Sequence, residues 1–232
     1  MILTVTLNTS VDKLYRIAKL TPYEVMRVSD VRTTAGGKGL NVARAVALSG
    51  EKAVAMGFVG GFSGKLFTSL LPDYIGTRFT QVKAETRSCI NVWDQQNNRS
   101  TEFLEPGNPV TEEELRRFLS DFELSLPDAE VVALSGSLPK GVPEDFYGQL
   151  VELAHRYKKY VILDSSGSSL KKACLVTLKS STKTSLICVC LTKMLSVLFF
   201  QAYLKFCQPI IGLTKQNTTS FLKRRTRASS SG

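Results

Sequence analysis

The sequence predicts an α/β fold, with a parallel sheet, helices packed on it and a small accessory β-sheet. Three observations predict it. Short apolar runs alternate with amphipathic helical stretches over residues 1–172, the rhythm of βαβ units. Period-two alternation interrupts that rhythm at 87–105, which marks strands outside the main sheet. A glycine-rich segment, "TTAGGKGLNVARAVALSG" at 33–50, runs directly into a helical pattern, as happens where parallel sheets meet ligands. A chain of 232 residues, 43% of them hydrophobic, is long enough to bury such a core.

The elements follow in order. "ILTVTL" at 2–7 reads as a first strand; its apolar run is too short, and lacks the basic leader, for a signal peptide. "LNTSVDK" reads as the loop off its end. Leu40, Ala43, Val46, Ala47 and Leu48 repeat at helical spacing up to a stop at Gly50. "KAVAMGFVG" is a second buried strand and "SGKLFTSLL" a short helix. "RSCINVWD" and "STEFLE", joined by the turn-rich "QQNNR", predict a hairpin suited to a lid. In "NPVTEEELRRFLSDFELSL", Thr111 is the expected N-cap and Glu114 completes a capping box, with Leu115, Phe118, Leu119 and Phe122 as the apolar face. "AEVVALSG" is a buried strand. "VPEDFYGQLVELAHRYK" is a helix with Pro143 in its first turn and His155 read as a surface or helix-end residue. "KYVILDSSG" is one more buried strand. Ligands bind beyond the carboxyl ends of such strands, where "LNTSVDK", "LSGSLPKG" and "LDSSG" lie.

Gly36, Gly37 and Gly39 let a ligand approach the backbone closely. A helix start there favours anions, Lys38 adds a full charge, and Asn41 offers a donor and an acceptor. The local reading is a small polar or phosphorylated ligand over a loop–helix junction; a plain tight turn before a helix is the other reading, and both stand open here. Two phosphate motifs fail. The dinucleotide pattern needs glycine where Val42 stands, and "VGGFSGKL" fails the P-loop pattern at Val59 and Leu66.

Charge is unevenly spread. Of 30 Lys and Arg, nine fall in residues 173–232; of 20 Asp and Glu, none do, and Asp164 is the last carboxylate side chain. Four of the five cysteines lie there too. Cys188 and Cys190 are too close for a zinc pair and there is one histidine, so no metal ligands are assigned. Free thiols point to a reducing cytoplasm. The longest uncharged tail run, Met194–Leu204, is eleven residues, too short to span a bilayer, and the basic end "FLKRRTRASSSG" lacks aromatic interleaving, so neither membrane nor nucleic acid is an expected partner.

"TTAGGKGLNVARAVALSGEKAVAMGFVGG" resembles the amino-terminal signature of the ribokinase-like carbohydrate kinases of phosphofructokinase B type. "MILTVTLNTSVDKLYRI" is similar to the 1-phosphofructokinase branch and the neighbouring tagatose-6-phosphate kinases, with Thr9 where proline is common. "EPGNPVT", "ALSGSLPKGVPEDFY" and "VILDSSGSSL" match in order and spacing up to about residue 171. The resemblance implies a three-layer α/β/α ribokinase-like sandwich with a small β lid, often a homodimer through the lid. It implies ATP- and Mg2+-dependent phosphoryl transfer to a sugar phosphate, with fructose 1-phosphate the favoured acceptor and tagatose 6-phosphate the second choice. By family pattern Asp12 meets sugar hydroxyls and Gly37 and Asn41 touch the sugar. Lys38, Arg87 and Lys140 face the phosphate already on it, and Ser137 lines the same pocket.

The resemblance then stops. The family's K-P-N-x-x-E segment and its G-A-G-D loop, which carries the catalytic aspartate and the anion hole, have no counterpart here. The C-terminal part is therefore expected to be incomplete or aberrant, with 1–172 the amino-terminal part of a kinase domain and 173–232 a basic, acid-free tail. A reading-frame slip near residue 172 would account for it. The catalytic residue is left unassigned, and the chain is expected to be inactive; a tagatose-6-phosphate kinase, or a non-catalytic sugar-phosphate-binding remnant, is the alternative.

Overall fold

Apolar residues from Ile2 onward have no amphipathic face, which suits a strand covered on both sides. They form β1 (Ile2–Thr6), every residue of it buried, inside a six-stranded sheet in the computed structural model, which describes residues 1–179 and 186–189. The sheet is completed by β4 (Ala53–Gly60), β5 (Gly76–Val82), β8 (Val131–Ser135), β9 (Tyr160–Asp164) and β10 (Leu186–Val189). Its order is β10-β9-β8-β1-β4-β5, and every pairing is parallel.

Period-two alternation divides the core into two layers. Leu3 and Val5 of β1 join Val132, Leu134, Phe118, Phe122, Phe146 and Leu150 on one face. Ile2 joins Val131, Ile162, Leu40, Val46 and Phe67 on the other. The first layer is built by α3 (Glu112–Ser125) and α4 (Phe146–Arg156), the second by α1 (Lys38–Leu48) and α2 (Gly61–Ser69). The three-layer α/β/α sandwich expected from the resemblance is what forms.

A second sheet of four strands makes the lid. It holds β2 (Ser10–Ile17), β3 (Asp30–Gly36), β6 (Arg87–Asp94) and β7 (Arg99–Leu104), in the order β3-β2-β6-β7. The predicted hairpin is β6–β7, antiparallel with Asp94 opposite Arg99. A second antiparallel pair, β2–β3, lies beside it, and β2 and β6 join the two in parallel.

Four readings change. "LNTSVDK" is not all loop, because β2 begins at Ser10 and carries Asp12 into the lid. Leu48 is exposed although it fits the helical repeat, since α1 faces the sheet through Leu40, Ala43 and Val46. His155 is buried, at 8% exposure, because the end of α4 is packed as closely as its middle. The alternation does not end at 172: α5 (Gly167–Lys179) crosses that point and β10 pairs with β9. The rest of the proposed tail lies outside the described residues. Among the described residues no helix is long and apolar enough to cross a membrane.

Candidate functional site

Strands β9, β8 and β1 are neighbours, so the segments leaving their carboxyl ends meet. Asn8, beyond β1, donates through Nδ2 to Ser137 Oγ at 3.0 Å and to the Pro106 carbonyl at 3.4 Å. Gly136 N–H, beyond β8, donates to the Asp164 carbonyl at 2.9 Å. Ser165 Oγ and Tyr147 Oη donate to the Gly136 carbonyl at 3.2 and 3.1 Å. Burial drives the Tyr147 hydroxyl far above its ordinary pKa, so it remains a donor.

Helix α1 aims its start at this junction. Gly37 is its N-cap, with φ at 126° and no side chain to cap the helix. Such a φ suits glycine alone. A Cβ on Gly36 would run into the Asp12 carboxylate, so the loop and the lid approach as closely as glycine allows. Leu40 N–H donates to Thr6 Oγ1 at 3.0 Å, which ties the first turn to the end of β1. Lys38 Nζ lies 3.7 Å from Asp164 Oδ2, joining α1 to β9. Burial raises the Asp164 carboxyl above its ordinary range and Lys38 opposes that rise. Asp164 Oδ1 is buried with no hydrogen-bond partner.

The lid meets the strand-end segments through Asp12 and Arg87. Asp12 accepts from Ser10 Oγ at 2.6 Å. Burial raises the Asp12 carboxyl; the Ser10 bond and the charges of Arg87 and Arg44 pull it back. Arg87 donates through Nη1 to the Glu105 carbonyl at 2.7 Å and through Nη2 to the Asn8 carbonyl at 3.2 Å. It therefore rivets the lid to the segment beyond β1. A cavity of about 330 Å³ opens on the lid beside Asp12, lined also by Thr34, Asn91 and Glu102. Clefts of that size hold small polar molecules.

The structure thus gathers Asp12, Gly37, Lys38, Arg87 and Ser137 through chained contacts. Asn41 joins through Arg44, whose Nη1 donates to Asn41 Oδ1 at 2.7 Å and whose Nη2 donates to the Ala35 carbonyl. Lys140 is exposed, and its carbonyl, which accepts from Val110 N–H at 3.0 Å, is what the fold uses. Sequence reasoning missed Asn8 and Arg44. Arg44 stands three residues after Asn41 on one helix face, a spacing that could have found it. For the magnesium and nucleotide that the resemblance implies, Asp164 engages Lys38, and among the described residues no three His, Cys, Asp or Glu cluster, although magnesium bound through one or two carboxylates and substrate phosphates needs no such cluster.

A three-layer parallel sandwich, lidded over the carboxyl ends of its strands and lined with Lys, Arg and Asp, defines a ribokinase-like small-molecule kinase fold. The chain belongs to the pfkB family of carbohydrate kinases, whose model matches residues 5–188. Members of that family are phosphotransferases. The match runs past residue 171, where the quoted motifs end. A structure of Escherichia coli phosphofructokinase-2 in complex with fructose 6-phosphate is 31% identical, with a TM-score of 0.69 over 75% of this chain. A possible 1-phosphofructokinase from Thermotoga maritima is 28% identical, with a TM-score of 0.74 over 93% of this chain. An Arabidopsis thaliana ribokinase complexed with ribose and ATP, at 18% identity and a TM-score of 0.51, shares the fold. The chain spans 58% of the Escherichia coli structure and 70% of the Thermotoga one.

Proposed function

We propose that this chain holds a sugar phosphate between the α1 start and the lid, as a kinase of the 1-phosphofructokinase type. The observation that carries the reading is the meeting of Lys38 with Asp164 and of Arg87 with Asn8 around the adjacent ends of β1, β8 and β9. Two cations thus stand at the strand ends beside Asn8 and Ser137, an arrangement suited to a phosphate ester. In this reading Lys38, Arg87 and Lys140 face the phosphate. Asp12 accepts from sugar hydroxyls, and Gly37, Asn41 and Ser137 line the ring.

Fructose 1-phosphate is the favoured acceptor, on the likeness to the Thermotoga protein and to the sequence motifs already described. Fructose 6-phosphate is a second reading, favoured by the ligand of the Escherichia coli structure; tagatose 6-phosphate is the third. Transfer from ATP needs a base aimed at the sugar hydroxyl and charge stabilisation around the moving phosphoryl group. No carboxylate side chain follows Asp164 in these 232 residues, so we assign them binding without turnover. We also propose that the compositional change near 172 divides a kinase-type part, 1–172, from an acid-free tail, 173–232, and that it marks a reading-frame slip. A shifted frame encoding "GAGD" in the coding DNA would support the slip, and its absence from every frame would end it. Self-association through the lid is proposed as well; the exposed Tyr23, Val25, Val31, Phe103 and Leu104 support it.

Titration calorimetry of the chain with each of the three sugar phosphates, beside a coupled ATP assay, tests the function. Fructose 1-phosphate binding without ATP consumption is the expected result. Equal indifference to all three sugars, or brisk ATP turnover, would overturn it.

A further inference from the structure

The sequence "VGGFSGKL" fails as a P-loop, yet it places two glycines at a helix start. Phe62 N–H donates to Glu85 Oε2 at 3.2 Å, and Ser63 N–H donates to Glu85 Oε1. The anion that a helix start attracts is here an internal carboxylate. Those bonds, Ser63 first, hold the Glu85 carboxyl below its usual range. Gly61, at φ 68°, leaves the room, for a Cβ there would run into the same carboxylate.

Glu85 sits in the crossover 83–86, which carries the chain from β5 to the lid strand β6. That crossover is tied at Lys83, Glu85 and Thr86. Lys83 N–H donates to Glu114 Oε1 at 2.7 Å, at the α3 start. The Glu85 carbonyl accepts from Asn108 Nδ2 at 2.7 Å. Thr86 N–H donates to the Gly60 carbonyl at 2.9 Å, and Thr86 Oγ1 accepts from Gly60 N–H at 3.0 Å. Arg87 comes next, as the first residue of β6, opposite Ser10 of β2.

We infer that the crossover is a strap that sets where the lid leaves the main sheet, and that Glu85 is a positioning residue acting on ligand affinity through Arg87. The inference deepens the sugar-phosphate reading and rests on it. Only Thr86 separates the Glu85 anchor from Arg87 in the chain. An anchor released at α2 lets Arg87 wander, and small misplacements of a binding group are costly to recognition.

Fructose 1-phosphate affinity is measured by calorimetry for the full chain, Glu85→Ala, Arg87→Ala and the double variant, with amide hydrogen exchange on each. Glu85→Ala is expected to weaken binding about fivefold and the double variant no further than Arg87→Ala alone, the non-additivity of residues acting through one another. Amides of Ser63 and of β6 are expected to exchange faster in Glu85→Ala. Unchanged affinity beside a weakened Arg87→Ala, or a loss that adds fully to that of Arg87→Ala, would overturn the positioning role. If the unaltered chain binds no fructose 1-phosphate, the sugar-phosphate reading fails instead. The strap is then judged by exchange: faster β6 amides in Glu85→Ala sustain it and unchanged ones end it. Should Glu85→Ala fail to fold, Glu85→Gln keeps one acceptor, and a smaller loss of the same non-additive kind is expected.

Discussion

Replacing Glu114 with alanine should unfasten two elements at once. Its carboxylate is 2% exposed as a residue and accepts from Thr111 N–H at 2.8 Å and Lys83 N–H at 2.7 Å. Burial alone would raise its carboxyl, but these bonds hold it below the ordinary range, so the group is charged where it acts. Removing it leaves two partly buried backbone donors unpaired, each worth about 1–1.5 kcal/mol, the low end of the range for such a loss. It also removes a charge from a helix start, worth about 0.5 kcal/mol. A loss of about 3 kcal/mol follows, and at about 2–4 °C per kcal/mol for a chain of this size the Tm should fall about 6–12 °C. Thr111→Ala removes the cap that accepts from Glu114 N–H at 3.3 Å but leaves both backbone donors their carboxylate, and should cost about 1 kcal/mol. Glu114→Gln keeps one acceptor and should fall between. The assay is thermal unfolding followed by circular dichroism, with exchange at the Lys83 amide as a local probe. If Glu114→Ala costs no more than Thr111→Ala, or leaves Lys83 protected, the double fastening argued here is wrong.

Phe118→Ala should cost about 3–5 kcal/mol, since the ring is fully buried and meets Phe58 at 4.9 Å, Phe146 at 6.2 Å and Phe122 at 6.3 Å between centroids; denaturant unfolding reads it. His155 is buried with Nε2 unpartnered, and burial lowers its pKa. The unfolded chain therefore takes up a proton below about pH 6.5 that the folded chain refuses, so stability should fall as pH drops below that value. His155→Gln should flatten the decline between pH 7 and 5 in melts at each pH. Asp12 has its carboxyl raised chiefly by burial, so it regains its proton above the usual carboxylate range near 3.9. Fructose 1-phosphate affinity should thus weaken more steeply on acidification in the native chain than in Asp12→Asn, by calorimetry across pH. Lys38→Met should weaken fructose 1-phosphate at least as much as it weakens inorganic phosphate; unchanged affinity for both would remove Lys38 from the site.

The inner strands of the main sheet, β1, β4, β8 and β9, were legible because they are mostly apolar, as burial on both faces requires, and α3 was legible because Thr111 and Glu114 mark a helix start with their own chemistry. The lid was only half legible. In β6, Cys89 and the alternation around it announce a strand, but β3 reads "DVRTTAG" and is mostly exposed, so it carries no apolar signature. Strand β5 at the sheet edge, "GTRFTQV", is likewise mostly polar. Asp12 was legible as a ligand-facing residue by resemblance, but not as part of a strand. Its burial depends on a neighbour, Cys89, distant in sequence. Arg44 and Asn8 escaped for a related reason: their roles are hydrogen bonds between segments, which leave no periodicity behind. His155 was misplaced because one polar residue near a helix end looks solvent-facing until the packing around it is known.

The parallel seam between β2 and β6 sets an order of events during synthesis. Ser10 faces Arg87 across that seam, with α1, β4, α2 and β5 threaded between them. The first hairpin must wait, half-finished, while the ribosome delivers half of the main sheet. It can be completed well before β8 and β9 emerge. A nascent chain halted just past Leu104 would therefore carry a whole roof over half a floor.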